Sequence, residues 1–267
     1  MKKIGLIAGN RRYPLILAQQ AKKDGYSTVV VAIKKNTSFQ IRNYSSHIYW
    51  IDIYQFNEIF EIFKKESVKD VVMAGQINPF YLFEKKIIEH PNIKNFFKEI
   101  EDRRAVTIFG FIAHKLTEEG FNVLDSRVFM REFIPQRGSL TIVQPDFNLW
   151  QDIYFGWDLA KMIAVLDIGQ TVAVKNRSIV AVEAIEGTDK LILRAAKLAG
   201  NGLVIVKVSR PSQDMRFDLP VVGMMTIKNL IKIKAACLAI EAEKTIFLDK
   251  EKAVSLAQHK GISIVAL

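Results

Sequence analysis

The stretch Ile4-Gly5-Leu6-Ile7-Ala8-Gly9-Asn10-Arg11-Arg12-Tyr13-Pro14 decides the fold of the first half. Five residues, mostly apolar, make a short buried strand, and Gly9-Asn10 breaks it. Apolar residues then return at helical spacing over Tyr13–Lys23 (Leu15, Ala18, Ala21), with Pro14 in the first turn, where its missing N–H costs nothing. Gly25 closes this helix, and the β-branched run Thr28–Ile33 reads as a second strand buried on both faces. The alternation continues outward: a strand at His47–Ile51, a helix at Gln55–Glu66, and a strand at Asp70–Ala74 that runs into Gly75. Strands alternating with helices imply a parallel, Rossmann-like sheet.

Beyond Gly75 the pattern predicts helices over Phe80–His90, Ile93–Glu101 and Arg104–Glu119, a strand at Phe121–Leu124 and a short helix or turn at Ser126–Phe133. Pro135-Gln136-Arg137-Gly138 interrupts the periodicity and marks a boundary between residues 1–135 and 136–267. The second part reads as strand-like Leu140–Val143, a helix at Asn148–Asp167, a hairpin of Thr171–Lys175 with Ile179–Ala184, a helix at Thr188–Ala199 and a strand at Leu203–Val208. A helix at Thr226–Ala236, extended Thr245–Leu248, a helix at Lys250–Lys260 and a terminal strand Ile262–Ala266 follow. The class is α/β, with a Rossmann-like N-terminal domain and a C-terminal α/β domain of separate topology.

Composition narrows the function classes. Of the 267 residues 49% are hydrophobic, which is enough for a sizeable core and excludes a disordered chain. The single cysteine, Cys237, excludes an internal disulfide and a Cys-rich zinc site, and it reads as a buried thiol inside an Ala- and Leu-rich helix. Four scattered histidines show no ligand spacing. No apolar run approaches the ~20 residues that span a bilayer, so the expectation is a soluble cytoplasmic protein. The net charge of +10 points to an anionic partner, although lysines paired as Lys22-Lys23 or Lys64-Lys65 also read as solvated surface. No groove-reading motif or basic–aromatic interleaving is present, so nucleic acid is not the expected partner.

Three segments carry chemistry. Gly9-Asn10 and Gly75-Gln76 each end a strand and open onto one sheet edge, where backbone amides suit a phosphate or a sugar; a purely structural turn is the alternative. Glu183, Glu186 and Asp189 flank Gly187-Thr188. Either they hold a hard divalent cation, with Gly187 allowing close approach, or Thr188 or Asp189 simply caps a helix. Gln213-Asp214-Met215-Arg216-Phe217-Asp218-Leu219-Pro220 places two aspartates around an arginine, not far beyond Lys207. The carboxylates suit Mg²⁺, while Arg216 and Lys207 suit phosphate oxygens; a surface ion pair is the plain alternative.

With Phe155-Gly156-Trp157, Leu166-Asp167-Ile168-Gly169-Gln170, Val182–Asp189 and Gln213–Pro220 in place, the chain resembles the UDP-2,3-diacylglucosamine pyrophosphatase family of lipid A biosynthesis, the type unrelated to the metallophosphoesterase of the same step. Ile7-Ala8-Gly9 with Pro14, and Val72–Gln76, resemble that family's two N-terminal glycine turns; Asn10, Arg11 and Arg12 depart from its usual glycine-rich opening turn. The resemblance implies Mg²⁺- or Mn²⁺-dependent hydrolysis of UDP-2,3-diacylglucosamine to UMP and 2,3-diacylglucosamine 1-phosphate, with an acylated-sugar pocket between the domains. For that chemistry the expectation is that Asp214, Asp218 and Asp189 orient the metal or the attacking water, that Glu183 and Glu186 are secondary ligands or orienters, and that Lys175 and Gln170 contact phosphate. A basic surface held against an anionic inner membrane fits the lipid substrate. A homo-oligomer and a non-hydrolytic nucleotide-sugar or lipid-binding role stay open on sequence alone; Mg²⁺-dependent release of UMP separates the latter from the enzyme.

Overall fold

The computed structural model describes residues 2–211 and 213–267. The chain divides into two compact units. The first comprises the residues up to Met130 together with Asp214–Asp218; the second comprises Arg131–Gln213 and Leu219–Leu267. The division falls at Met130/Arg131 rather than at residue 135, and the five-residue segment Asp214–Asp218 joins the first unit from far along the chain.

The first unit runs β1 (Lys3–Ala8), α1 (Tyr13–Lys23), β2 (Ser27–Ile33), β3 (His47–Ile51), α2 (Glu58–Lys65), β4 (Asp70–Ala74), α3 (Lys85–Ile88), α4 (Pro91–Lys98), α5 (Ala105–Glu118) and β5 (Asn122–Val123). Its five strands form one parallel sheet in the order β3-β2-β1-β4-β5. The run Val29–Ile33 is buried throughout, as expected of a strand covered on both faces. After β1 the chain builds toward β3 on one side, then returns to add β4 and β5 on the other. This places the reversal of strand order, where open α/β sheets take their ligands, between the ends of β1 and β4.

The single helix expected over Phe80–His90 is instead a 3₁₀ turn at Pro79–Leu82 and the one-turn α3. Asn78 caps the first piece by accepting the Phe80 N–H, and Pro91 starts a new helix rather than continuing the old one. Of the two alternatives for Ser126–Phe133, short helix or turn, the chain takes a turn followed by a 3₁₀ piece at Arg131–Phe133, with Phe129 at φ 66°.

The second unit contains β6 (Gly138–Ser139), α6 (Phe147–Val165), β7 (Thr171–Lys175), β8 (Ser178–Val182), α7 (Thr188–Ala199), β9 (Val204–Lys207), β10 (Val221–Val222), α8 (Met224–Lys232), β11 (Cys237–Ile240), β12 (Ile246–Phe247), α9 (Lys250–His259) and β13 (Ser263–Ala266). A six-stranded mixed sheet runs β6-β13-β11-β9-β7-β8, parallel over β13, β11 and β9 and antiparallel elsewhere; β10 and β12 pair separately. Asn176 and Arg177, both at positive φ, make the tight β7–β8 turn. The buried Asp152 of α6 accepts both of their backbone N–H groups, at 3.0 and 2.5 Å.

Two expectations are corrected here. The strand expected at Leu140–Val143 lies earlier, at Gly138–Ser139, where it pairs with β13. Cys237 is not helical. α8 ends at Lys232, Lys234 turns at φ 50°, and Cys237 opens the buried strand β11. Burial pushes its thiol up to about 12, so it is an inert core group. No helix among the described residues is long and apolar enough to cross a membrane.

Candidate functional site

At the edge of the N-terminal sheet the turns after β1 and β4 pack back to back. The Asn10 N–H donates to the Gln76 carbonyl at 2.7 Å, and the two residues form an isolated antiparallel bridge. Neither glycine is replaceable without movement: a Cβ on Gly9 would lie 2.5 Å from the Gln76 oxygen, and one on Gly75 2.6 Å from the Asn10 oxygen. Gly75 also sits at φ 87°, where a side chain is strained. The Asn10 side-chain oxygen is buried beside this bridge with no hydrogen-bond partner. A small cavity here is lined by Gly9, Gly75, Met73, Ile77, Phe109 and Phe217.

Phe217 brings in the returning segment. In the turn Asp214–Asp218, the Phe217 and Asp218 N–H groups donate to the Asp214 carbonyl, at 3.3 and 3.0 Å. The Asp214 carboxylate accepts from the Arg216 backbone N–H at 3.0 Å and from its Nε and Nη2, at 3.0 and 2.7 Å. That guanidinium holds the Asp214 carboxyl below the usual carboxylate range, against the opposing effect of partial burial. The same latch recurs at Asp125-Ser126-Arg127: Asp125 accepts the Arg127 backbone N–H at 2.8 Å, its Nε at 3.0 Å and its Nη2 at 2.6 Å. The two turns touch, because the Ser126 N–H donates to the Met215 carbonyl at 2.9 Å. Sequence reading missed Asp125-Ser126-Arg127, although its Asp-x-Arg spacing copies that of Asp214-Met215-Arg216.

A different site forms in the second unit, around the N-terminus of α7. Lys207, at the end of β9, is 6% exposed. Its Nζ donates to the Thr188 hydroxyl at 2.9 Å and lies 3.5 Å from that of Thr171. The Thr188 hydroxyl in turn donates to Glu183 Oε1 at 2.8 Å, and Glu183 Oε2 accepts the Gln170 N–H at 3.4 Å. Among the described residues no carboxylate lies within 4.0 Å of the Lys207 ammonium. Gly187 precedes the helix at φ 81° without a side-chain cap, and the positive end of the α7 dipole lies here. A buried cation beside a helix N-terminus is an arrangement suited to an anion.

The acids expected to hold a metal are not gathered into a cage. Glu183 faces Thr188, Glu186 is tied to Arg194 at 2.6 Å and to the Ala184 N–H at 3.1 Å, and Asp189 accepts from Asn229 at 3.0 Å. Burial disfavours the charge of Glu186, but the Arg194 guanidinium and two backbone N–H groups keep its carboxyl below the usual range. Among the described residues no three His, Cys, Asp or Glu side chains are placed to hold an ion. Asp214 and Asp218, within one turn, still offer hard oxygen donors. They fit a cation that takes one or two carboxylates and fills its shell with water and phosphate, as Mg²⁺ does. Lys175 lies apart from Thr188: its ammonium donates to the Ala199 and Asn201 carbonyls at the opposite end of α7, about 18 Å away for twelve residues. Gln213 is occupied with Arg210, whose backbone N–H its side chain accepts at 2.7 Å.

Comparison with known proteins places this architecture. The LpxI N-terminal domain model matches residues 3–133 and the LpxI C-terminal domain model residues 136–265. The chain belongs to the LpxI family. A curated relative, the UDP-2,3-diacylglucosamine pyrophosphatase LpxI of Caulobacter vibrioides, is 26% identical over an alignment covering 100% of this chain and 98% of that protein. Among solved structures, the biotin carboxylase domain of a thermophilic 2-oxoglutarate carboxylase aligns at a TM-score of 0.30 and 12% identity, over 65% of this chain and 35% of that one. Phosphoribosylglycinamide synthetase from Anaerococcus prevotii aligns at 0.26 and 11%, over 67% and 38%. Both likenesses are too slight to bear on fold or function.

Proposed function

We propose that this LpxI-family chain hydrolyses the pyrophosphate bond of UDP-2,3-diacylglucosamine, giving UMP and 2,3-diacylglucosamine 1-phosphate for lipid A biosynthesis. The observation that carries this reading is the end-to-end match to both LpxI domains and to a relative of that name. Residue chemistry supports it. A diphosphate brings concentrated negative charge, and Arg216 and Lys207 are cations of the kind that bind it.

In the first unit Asp214 and Asp218 would hold Mg²⁺ or Mn²⁺, which when bound supplies charge neutralisation at the diphosphate. A carboxylate has about four acceptor positions, so Asp214 can keep its Arg216 latch and still serve as a ligand. Arg216 presents a planar fork suited to phosphate oxygens. The glycine turns Gly9-Asn10 and Gly75-Gln76 let substrate approach the sheet edge. In the second unit Lys207, Thr188 and the α7 N-terminus form a preorganised anion cradle. Its charge needs no rearrangement as negative charge builds during displacement at phosphorus. Glu183 orients Thr188 through their hydrogen bond. Water oxygen attacks one phosphorus of the bridge: a new phosphorus–oxygen bond forms, the bond from that phosphorus to the bridging oxygen breaks, the bridging oxygen leaves on the other phosphate, and a proton of the water is released to solvent.

The net charge of +10 also supports peripheral contact between a cytoplasmic enzyme and the anionic face of the inner membrane, where the acylated substrate resides. The test of the hydrolytic reading is UMP release from UDP-2,3-diacylglucosamine by purified protein, before and after EDTA. Release that stops with EDTA and returns with Mg²⁺ is the expected result; tight binding of intact substrate without release would replace the enzyme with a binding protein.

A further inference from the structure

Ser126 is 1% exposed and lies in neither a helix nor a strand. All of its polar groups are engaged. Its N–H donates to the Met215 carbonyl at 2.9 Å, and its own carbonyl accepts the Tyr13 hydroxyl. Its Oγ lies 2.5 Å from the Met73 carbonyl and 2.6 Å from the Arg216 carbonyl. One hydroxyl proton is therefore shared between the end of β4 and the returning turn.

These contacts bind three parts of the first unit to one residue. Met73 lies two positions before Gly75, so Ser126 is fixed to the strand that ends at the glycine turn. Met215 and Arg216 are consecutive, so the two bonds set both the height and the rotation of the Asp214–Asp218 turn. Asp125 and Arg127 flank Ser126 and form their own latch, which stiffens the segment that carries it. Tyr13 completes the set from the first turn of α1. Burial, with a further push from Asp125, raises the Tyr13 hydroxyl well above the ordinary phenol value, so it stays protonated and donates at any working pH. Phe217, packed at 6.2 Å against Phe109, anchors the same turn through an apolar contact.

We propose that Ser126 is a positioning residue for the hydrolysis: without touching substrate, its hydroxyl holds the Asp214–Asp218 turn at the height and rotation that turnover requires. This rests on the assignment of Asp214 above. A serine that only stabilised the fold would change the melting temperature and leave the folded enzyme's turnover alone. A positioning serine changes turnover in the folded enzyme, because displacement of a reacting group by about 1 Å costs on the order of 10²-fold.

The test compares wild type, Ser126→Ala, Tyr13→Phe and Asp214→Ala in the UMP-release assay, with a Mg²⁺ titration and a melting curve for each. Ser126→Ala is expected to lower kcat by about 10- to 100-fold and to raise the Mg²⁺ concentration for half-maximal rate, with KM for the UDP-sugar changed less than about 3-fold. Tyr13→Phe, which leaves the Ser126 carbonyl without its donor, moves kcat the same way by a few-fold and decides the matter alone if Ser126→Ala does not fold. Wild-type kcat and Mg²⁺ dependence in folded Ser126→Ala and Tyr13→Phe, beside an inactive Asp214→Ala, would overturn the role of Ser126 and leave the hydrolase reading intact. An active Asp214→Ala would overturn both.

Discussion

The two candidate sites handle charge in opposite ways. At the N-terminal sheet edge two acids are each latched to an arginine two residues on: Asp125 to Arg127 and Asp214 to Arg216. At the start of α7 the buried Lys207 donates to the Thr188 hydroxyl, which in turn donates to Glu183. A self-neutralised turn can be fixed in place before any ligand arrives. A buried ammonium without a carboxylate carries a desolvation cost that an arriving anion relieves. The first site therefore holds its charged carboxylate in a fixed place, whereas the second keeps a cation without a carboxylate beside it, and variants of the two differ accordingly.

The largest effect is expected at the turn. Asp214→Asn keeps the shape and removes the charge, and should lower kcat/KM by about 10³-fold while the melting temperature changes little. Loss of fold together with activity would make Asp214 a structural residue instead. Next comes Lys207→Met, expected to cost about 10²-fold in kcat/KM. Since the substitution removes an unpaired buried charge, the melting temperature should hold or rise. A clear fall would show that the charge is already satisfied within the fold and would erase the contrast between the two sites.

Smaller effects test the scaffold. Gly75→Ala forces a side chain onto a residue at φ 87° and against the Asn10 carbonyl; chemical denaturation should show a loss of about 1–3 kcal/mol, with an activity loss of about 10-fold. The smallest effect on activity should come from Glu66, which binds Tyr49 at 2.6 Å and His47 at 2.8 Å. These bonds, that from Tyr49 foremost, lower its carboxyl from 4.5 to about 2. Its folded-state value lies below its unfolded one, so its contribution is complete above about pH 4.5 and is lost as pH falls toward 2. Glu66→Gln should cost about 1–3 kcal/mol at neutral pH, flatten the acid-unfolding curve over that window and leave UMP release unchanged.

Much of the scaffold was legible because local signals agreed with the final packing. Residues 70–74, 171–175 and 188–199 form elements with the limits that periodicity predicts, and alternating strands and helices gave the α/β class. The run at Cys237 was not legible. A short apolar segment rich in Ala and Leu serves equally as helix or buried strand, and burial between β9 and β13 decides it. The candidate site was legible in its parts but not in its grouping. Asp214 and Arg216 stand out by composition, whereas their attachment to Ser126 joins residues about ninety positions apart and leaves no local trace. Likewise Lys175 ends β7 as expected, but only the length of α7 shows that it serves the opposite end of that helix from Thr188.

Product analysis tests the central claim most directly. Purified protein is incubated with UDP-2,3-diacylglucosamine and Mg²⁺, and the phosphorus-containing products are resolved by phosphorus NMR. The account predicts UMP and 2,3-diacylglucosamine 1-phosphate in equal amounts as substrate disappears. Intact substrate after prolonged incubation, or UDP released beside a free sugar, would contradict it.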